Sequence, residues 1–139
     1  MALQAQNSEN GSRGATQTRH LCVVVVDDEP DAVLTLLTLM RDQGHRAEGF
    51  SSGAAALEAI GRLDPDVIIS DIAMPPPNGW DVAKKVRAMN GPRRPLMIAV
   101  TGRYTKGADR ILAQISGFDY FLTKPYDPQV LIALVEKAR

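Results

Sequence analysis

Polar residues follow directly after four short apolar runs of the chain. They are Asp27 and Asp28 after the first run, Asp71 after the second, Thr101 after the third and Lys124 after the fourth. Strands that are apolar throughout belong in a sheet covered on both faces, and such sheets bind ligands and carry out chemistry at the carboxyl ends of their strands. Three carboxylates, one hydroxyl and one amine are therefore expected to converge at one edge of a sheet.

The segments between these runs have the composition of helices, and typical capping residues stand at their ends. The predicted strands are 21–26, 45–50, 67–70, 96–100 and 120–123, and the predicted helices are 30–43, 52–60, 79–89, one of undefined start that ends near residue 116, and 128–138. Ser52, Asn78 and Asp127 can cap helices, and Gly44 is of a type common just past a helix end. Five strands that alternate with five helices predict right-handed crossovers and an α/β fold with a doubly wound parallel sheet.

The composition fits one compact domain. The chain has 139 residues, of which 45% are hydrophobic, enough for one core of ordinary size and too few for two. Lys and Arg together number 16, as do Asp and Glu. No broad basic field therefore favours nucleic acid or an anionic membrane, and a protein partner is expected.

The ends and the minor residues of the chain add further expectations. No apolar run approaches the roughly 20 residues that span a bilayer, and residues 1–19 lack the apolar core of a secretory signal, so a cytoplasmic location is expected. Residues 1–19 are polar and are expected to form a disordered tail or linker, with 20–139 as the domain. Cys22 is expected to be buried as a small apolar side chain, and His20 and His45 are expected at the surface.

Four sequence blocks carry a family resemblance. They are Val-Val-Asp-Asp-Glu-Pro at 25–30, Ser-Asp-Ile-Ala-Met-Pro at 70–75 followed by Gly79, Ala-Val-Thr-Gly at 99–102, and Leu-Thr-Lys-Pro at 122–125. In this order and spacing they resemble the signature blocks of the receiver domain of two-component response regulators, of the chemotaxis-regulator type. The resemblance covers residues 21–139 and implies a single-domain flavodoxin-like sheet with the strand order 2-1-3-4-5.

The resemblance implies a role for each polar residue at the sheet edge. Asp71 would accept a phosphoryl group from the phosphohistidine of a histidine kinase or histidine phosphotransfer protein. Lys124 would pair with Asp71 before the reaction and with a phosphoryl oxygen after it, and Thr101 would donate its hydroxyl to another phosphoryl oxygen. Such a domain catalyses only its own phosphorylation and dephosphorylation, so no enzyme acting on a separate substrate is expected.

A carboxylate is a poor nucleophile towards an anionic phosphoryl group unless the negative charge is offset. The resemblance implies that a bound Mg²⁺ offsets this charge. Mg²⁺ takes near-octahedral oxygen ligands and keeps several waters. The implied ligands are Asp28 and Asp71 directly, Asp27 through water, and the backbone carbonyl of Ala73.

Other positions are expected to set the switch and its lifetime. Thr101 and Phe121 are the implied switch residues, and Tyr120 should point to the opposite face of its strand. The resemblance also implies a cis peptide between Lys124 and Pro125, which aims the lysine at the acids. Ala73 and Arg103 stand at positions that tune hydrolysis of the acyl phosphate in this family.

Output is expected through surface contact. The sequence ends directly after the last predicted helix and carries no DNA-recognition or zinc-binding pattern. The resemblance implies a downstream protein target on the face formed by the fourth helix, fifth strand and last helix, about residues 106–138. A phosphorylation-dependent homodimer is a further expectation, and a domain cut from a longer regulator or hybrid kinase is an alternative to a standalone regulator.

Simpler interpretations exist for the same residues. An Asp at a strand end is often a turn or capping residue, and a Thr or Lys there is often a strand former or a solvated charge. Haloacid-dehalogenase-like phosphatases use a similar set, but they require a general acid where this chain has Ala73. A flavin or nucleotide module would want a phosphate-binding loop where Asp27 and Asp28 would repel phosphate. A degenerate receiver that acts as a scaffold without phosphorylation has the same sequence pattern.

Overall fold

A computed structural model gives the fold, and it describes residues 20–89, 95–102, 111 and 117–139. In order along the chain, the elements are β1 (Cys22–Val26), α1 (Pro30–Asp42), β2 (Arg46–Phe50), α2 (Gly53–Leu63), β3 (Val67–Ser70), α3 (Gly79–Met89), β4 (Leu96–Thr101), β5 (Tyr120–Thr123) and a C-terminal helix (Pro128–Glu136). The helix predicted between β4 and β5 lies outside the described residues except for Ile111, which is helical. Arg103 also lies outside them.

The five strands form one parallel sheet in the order β2-β1-β3-β4-β5. This confirms the predicted order 2-1-3-4-5. The chain moves from β1 to one edge of the sheet and then crosses back to β3 on the other side of β1, which creates the switch point of a doubly wound fold. Val26 pairs with Ser70 at this point, so the residues that follow these two strands leave the sheet side by side.

Both faces of the sheet are covered, as the continuous apolar strands predict. Val24, Val26 and Ile68 point to one side and pack in a cluster with buried residues of α2 and α3. Val23, Val25 and Ile69 point to the other and pack with buried residues of α1 and the C-terminal helix. Each fully buried Val or Ile side chain contributes roughly 1.5 to 3 kcal/mol through removal of apolar surface from water. The two clusters therefore hold the sheet rigidly and fix the positions of its strand ends.

The predicted caps form, and α1 begins without a side-chain cap. The side chains of Ser52 and Asp127 accept hydrogen bonds from backbone N–H groups in the first turns of their helices, and Asn78 and Asp81 cap α3 reciprocally. At α1 the N-cap is Glu29, which makes no side-chain cap, and Pro30 occupies the first turn. Neither Asp27 nor Asp28 is the N-cap residue of α1.

Two expectations about minor residues were wrong or incomplete. His45 is buried, not at the surface, because it lies between the start of β1 and the C-terminal helix: its Nδ1 is 3.4 Å from the Leu21 N–H nitrogen, and its Nε2 is 3.3 Å from Glu136 Oε2. Cys22 is only half-buried because it opens its strand at the end of the sheet. No helix among the described residues is long and apolar enough to cross a membrane.

Candidate functional site

Three carboxylates meet where β1 and β3 end. The backbone N–H of Asp71 donates to the Val26 carbonyl at 2.9 Å, which continues the pairing of β1 with β3 and places Asp71 beside Asp27. Asp27 is only 1% exposed and Asp71 only 9%, whereas Asp28 is exposed. One oxygen from each carboxylate lies within 4.8 Å of the others. The structure therefore brings together all three acids singled out in the sequence.

Lys124 reaches these acids from the end of β5. Its backbone N–H donates to the Thr101 carbonyl at 2.9 Å, which extends the pairing of β4 with β5 and aims the side chain across the sheet edge. Its Nζ donates to Asp27 Oδ2 at 2.8 Å and lies 3.8 Å from Asp71 Oδ2. The closer partner of the lysine is thus Asp27, whereas the family resemblance implies a pair with Asp71.

The charges of the acids act on Lys124 as well. Burial alone would lower the pKa of the lysine, but the hydrogen bond and charge of Asp27, followed by the charge of Asp71, raise that pKa above its ordinary value. Lys124 is therefore a protonated cation that interacts with the carboxylates of both Asp27 and Asp71.

The Asp71 carboxylate accepts several hydrogen bonds, but the positive charge near it does not fully offset its burial and the charge of Asp27. Its Oδ1 accepts a hydrogen bond from the Ala73 N–H at 3.3 Å, and its carboxylate also bonds to the Thr101 hydroxyl. Burial, and next the charge of Asp27, raise the pKa of Asp71 above its ordinary value, although Lys124 and these two hydrogen bonds act in the opposite direction. The fold disfavours a second negative charge here, which is the electrostatic situation that a bound cation relieves.

The loop after β3 folds back on Asp71. The N–H groups of Met74 and Gly79 both donate to the Ile72 carbonyl, at 3.0 and 3.1 Å. A Cβ atom at position 79 would lie 2.3 Å from the Asp71 carbonyl oxygen and 2.6 Å from Ile72 Cα, so only glycine fits without displacing backbone. The peptides Pro76–Pro77 and Lys124–Pro125 are both cis.

The expected switch residues lie on neighbouring strands. Thr101 is fully buried, and β4 pairs with β5 so that Ala99 faces Phe121 across the ladder. Phe121 packs against the cluster on the α2 and α3 side of the sheet, and Tyr120 packs against the cluster on the other side. These two side chains point in opposite directions, in agreement with the strand alternation.

Sequence reasoning missed two groups that contact the acids. The N–H of Glu29 donates to Asp27 Oδ1 at 3.0 Å, so Asp27 also fixes the turn into α1. The hydroxyl of Ser70 donates to the backbone carbonyl of Asp71 at 2.8 Å. A serine that ends an otherwise apolar, buried run is the signal that could have identified the second group.

Comparison with known proteins assigns the family. Residues 23–136 match the response regulator receiver domain, and the chain therefore belongs to this family. An uncharacterized 14.6 kDa protein of Leptolyngbya boryana is 36% identical over 115 residues, which cover 83% of this chain and 87% of that protein. The DNA-binding response regulator MtrA of Mycolicibacterium smegmatis is 33% identical over 113 residues, or 81% of this chain. The chain spans only about half the length of MtrA, 48%.

Solved structures agree with this assignment. The receiver domain of the Francisella response regulator 1452 superposes with a TM-score of 0.78 at 27% identity, with 86% of this chain and 96% of that chain covered. The chemotaxis protein CheY4 of Vibrio cholerae superposes with a TM-score of 0.79 over 87% of this chain and 100% of its own, at 24% identity. The second likeness shows the shared fold. Receiver domains are phosphoacceptor domains of two-component signal transduction, which is the class of this chain.

Proposed function

We propose that this chain is a switch of a two-component or phosphorelay system and that Asp71 accepts the phosphoryl group. The observation that carries the proposal is the convergence of a nearly buried carboxylate with the ammonium of Lys124 and the hydroxyl of Thr101 at one sheet edge. A phosphoryl group needs an oxygen nucleophile together with cations and donors for its own oxygens. The site offers each of these within one small volume.

The reaction follows from these positions. A carboxylate oxygen of Asp71 attacks the phosphorus of a phosphohistidine, a new O–P bond forms, the P–N bond breaks, and its electron pair stays on the imidazole nitrogen of the donor. Lys124 lies 3.8 Å from Asp71 and can move to a phosphoryl oxygen as that group arrives. Thr101 then donates its hydroxyl to the phosphoryl group instead of to the free carboxylate.

The carboxylates fit Mg²⁺. Three oxygen donors within 4.8 Å, two of them on nearly buried side chains, suit a hard cation that keeps several waters. We assign Asp28, Asp71 and the backbone carbonyl of Ala73 as direct ligands. Asp27 would contribute only through water, because its two oxygens already bind the Glu29 N–H and the Lys124 ammonium. When bound, the ion supplies positive charge that offsets the repulsion between the acids and the phosphoryl group.

The donor is proposed to be a histidine kinase or a histidine phosphotransfer protein. A groove of about 560 Å³ opens beside Lys124, between α1 and the segment that leads into the C-terminal helix. Leu36, Leu39 and Tyr126 contribute apolar surface to it, and Asp31 and Asp42 contribute acidic groups. A partner element that lies in this groove would bring its phosphohistidine close to the acceptor.

The output is proposed to be a change of the surface around β5 and the C-terminal helix. When Thr101 moves towards the phosphoryl group, it leaves space into which Phe121 can turn. The face that would change binds a downstream protein, and a phosphorylation-dependent homodimer is one form that this contact can take. The functional unit is residues 20–139, with residues 1–19 as a tail or linker.

The phosphoacceptor proposal is tested by intact-mass spectrometry after incubation with Mg²⁺ and acetyl phosphate. Wild-type protein should gain one unit of about 80 Da, the mass of a phosphoryl group. Asp71→Asn should gain none, because an amide is not a competent nucleophile. Asp28→Asn should react far more slowly, because it removes a proposed metal ligand. An unmodified wild type would support the scaffold alternative and contradict the proposal.

The output proposal is tested by hydrogen exchange with and without beryllofluoride, a phosphoryl mimic. Protection should change in β5 and the C-terminal helix. Thr101→Ala should weaken that change while phosphorylation of Asp71 stays possible. A family-typical coupling of about 1 to 3 kcal/mol corresponds to a roughly five- to 150-fold change in partner affinity. Identical protection in both states would mean that occupancy of the site by the phosphoryl mimic is not coupled to the surface.

A further inference from the structure

The residue before the proposed acceptor has a role of its own. Ser70 is the last residue of β3 and is fully buried among apolar strand residues. Its hydroxyl donates to the backbone carbonyl oxygen of Asp71 at 2.8 Å. We propose that Ser70 is a positioning residue, whose hydroxyl fixes the backbone of Asp71 and thereby aims the Asp71 carboxylate. This inference rests on the proposed function of Asp71 as the phosphoryl acceptor.

The geometry explains why one hydroxyl can aim a neighbouring side chain. A residue has two soft backbone torsions, and together they set the direction of its Cα–Cβ bond. The N–H of Asp71 is held by the Val26 carbonyl at 2.9 Å, and its carbonyl is held by the Ser70 hydroxyl. Both peptide planes that flank the Asp71 Cα are therefore tied to β1 or to β3.

A second contact shows that this carbonyl has little freedom. The backbone of Gly79 approaches the Asp71 carbonyl oxygen so closely that a Cβ atom there would be 2.3 Å away. The loop that carries Ile72 and Ala73 starts at this same peptide, and Ala73 donates its N–H to the Asp71 carboxylate. A shift of the Asp71 carbonyl would therefore disturb both the carboxylate and the loop that contacts it.

The chemistry of position 70 also argues against a serine that merely fills space. Val24, Val26 and Ile68 fill the same side of the sheet near position 70 with apolar side chains. A buried hydroxyl loses its contacts with water, and this cost is offset only when the hydroxyl is hydrogen-bonded. Ser70 makes its bond to the one peptide that joins β3 to the acceptor loop.

The test compares rates of phosphorylation by acetyl phosphate with saturating Mg²⁺. Ser70→Ala should lower the maximal rate constant by between about three- and tenfold, the factor that corresponds to one net hydrogen bond. The acetyl phosphate concentration at half-maximal rate should stay near that of the wild type, because Ser70 does not reach the donor. Ser70→Thr, which keeps the hydroxyl, should recover most of the rate.

A matched control separates positioning from general loss of stability. Ser52 also makes one side-chain hydrogen bond: its Oγ accepts from the Ala55 N–H at 3.1 Å and caps α2. Ser52→Ala removes a hydroxyl contact of similar strength that does not involve Asp71. It should lower the melting temperature without changing the maximal rate constant. If Ser70→Ala does not fold, Ser70→Cys offers the same comparison with a similar volume and a weaker donor.

The outcomes distinguish this inference from the proposed function. If wild-type protein is phosphorylated and the Ser70 and Ser52 variants react at equal rates, the positioning role is refuted while Asp71 remains the acceptor. If the rate falls only in the Ser70 variants that lack a strong donor, the inference is supported. Absence of phosphorylation in the wild type would overturn the proposed function and, with it, this inference.

Discussion

Replacement of Asp71 by Asn should stabilise the metal-free protein. Asp71 lies within 4.8 Å of the carboxylates of Asp27 and Asp28, and at an effective dielectric constant of about 20 each such pair repels by about 3.5 kcal/mol. Lys124, at 3.8 Å, attracts Asp71 by about 4.4 kcal/mol on the same scale. Because solvent screens the exposed Asp28, we expect a net relief of about 1 to 2 kcal/mol when the charge of Asp71 is removed.

The assay is urea unfolding at pH 7, first with a chelator and then with Mg²⁺. With the chelator, Asp71→Asn should have the larger free energy of unfolding. Mg²⁺ in ten- to hundredfold excess over its Kd should then stabilise the wild type by roughly 1 to 3 kcal/mol, since it binds only the folded state. Asp71→Asn and Asp28→Asn should each lose most of that gain. The difference in free energy of unfolding between Asp71→Asn and the wild type should therefore shrink or change sign when the metal is added.

A second acid provides a matched control. Asp66 accepts a hydrogen bond from the Cys22 N–H at 2.8 Å, at the end of the sheet away from the site. Asp66→Asn should weaken that bond, give no stabilisation with the chelator and leave the Mg²⁺ gain intact. If Asp71→Asn were less stable than the wild type without metal, its carboxylate would be favourably held rather than under electrostatic stress, and the argument for a cation site would fail.

Three further predictions concern the scaffold. Burial holds the pKa of His45 below its ordinary value of 6.5, so the neutral form is favoured in the folded state. The free energy of unfolding should therefore fall as the pH drops below about 6.5. Urea titrations at several pH values should show a flatter pH dependence of this free energy for His45→Gln. Gly79→Ala should lower the free energy of unfolding by more than about 2 kcal/mol through the backbone clash. Gly61→Ala, where a Cβ would meet nothing within 4 Å, should raise it by up to about 1 kcal/mol. Both changes can be measured by thermal unfolding. Arg87→Met should cost about 2 to 4 kcal/mol, because Arg87 donates to two backbone carbonyls, yet leave acetyl phosphate labelling unchanged.

Much of the fold and of the acid site could be predicted from the sequence because both depend on local patterns. Continuous apolar strands predict a sheet covered on both faces, and an acid directly after such a strand must lie at its carboxyl end. The family motifs added the strand order, which no single element carries. The positions of Asp27, Asp28 and Asp71 follow from these facts together.

The sequence could not predict which carboxylate Lys124 prefers. That preference depends on side-chain distances of 2.8 and 3.8 Å at the meeting point of three strands. The sequence also could not predict the burial of His45, because its partner Glu136 lies in the last helix and the contact arises only from tertiary packing. Short polar segments reveal little about burial when the residues that cover them are far away in the chain.

The most direct test of Asp71 as the phosphoryl acceptor is chemical mapping of the modified residue. Protein treated with Mg²⁺ and acetyl phosphate is reduced with borohydride, which converts an acyl phosphate of aspartate to homoserine, and its peptides are sequenced by tandem mass spectrometry. Homoserine is expected at position 71, and its formation should depend on both Mg²⁺ and the phosphodonor. Homoserine at position 27 or 28 instead, or at none of the three, would contradict the assignment of Asp71 as the phosphoryl acceptor.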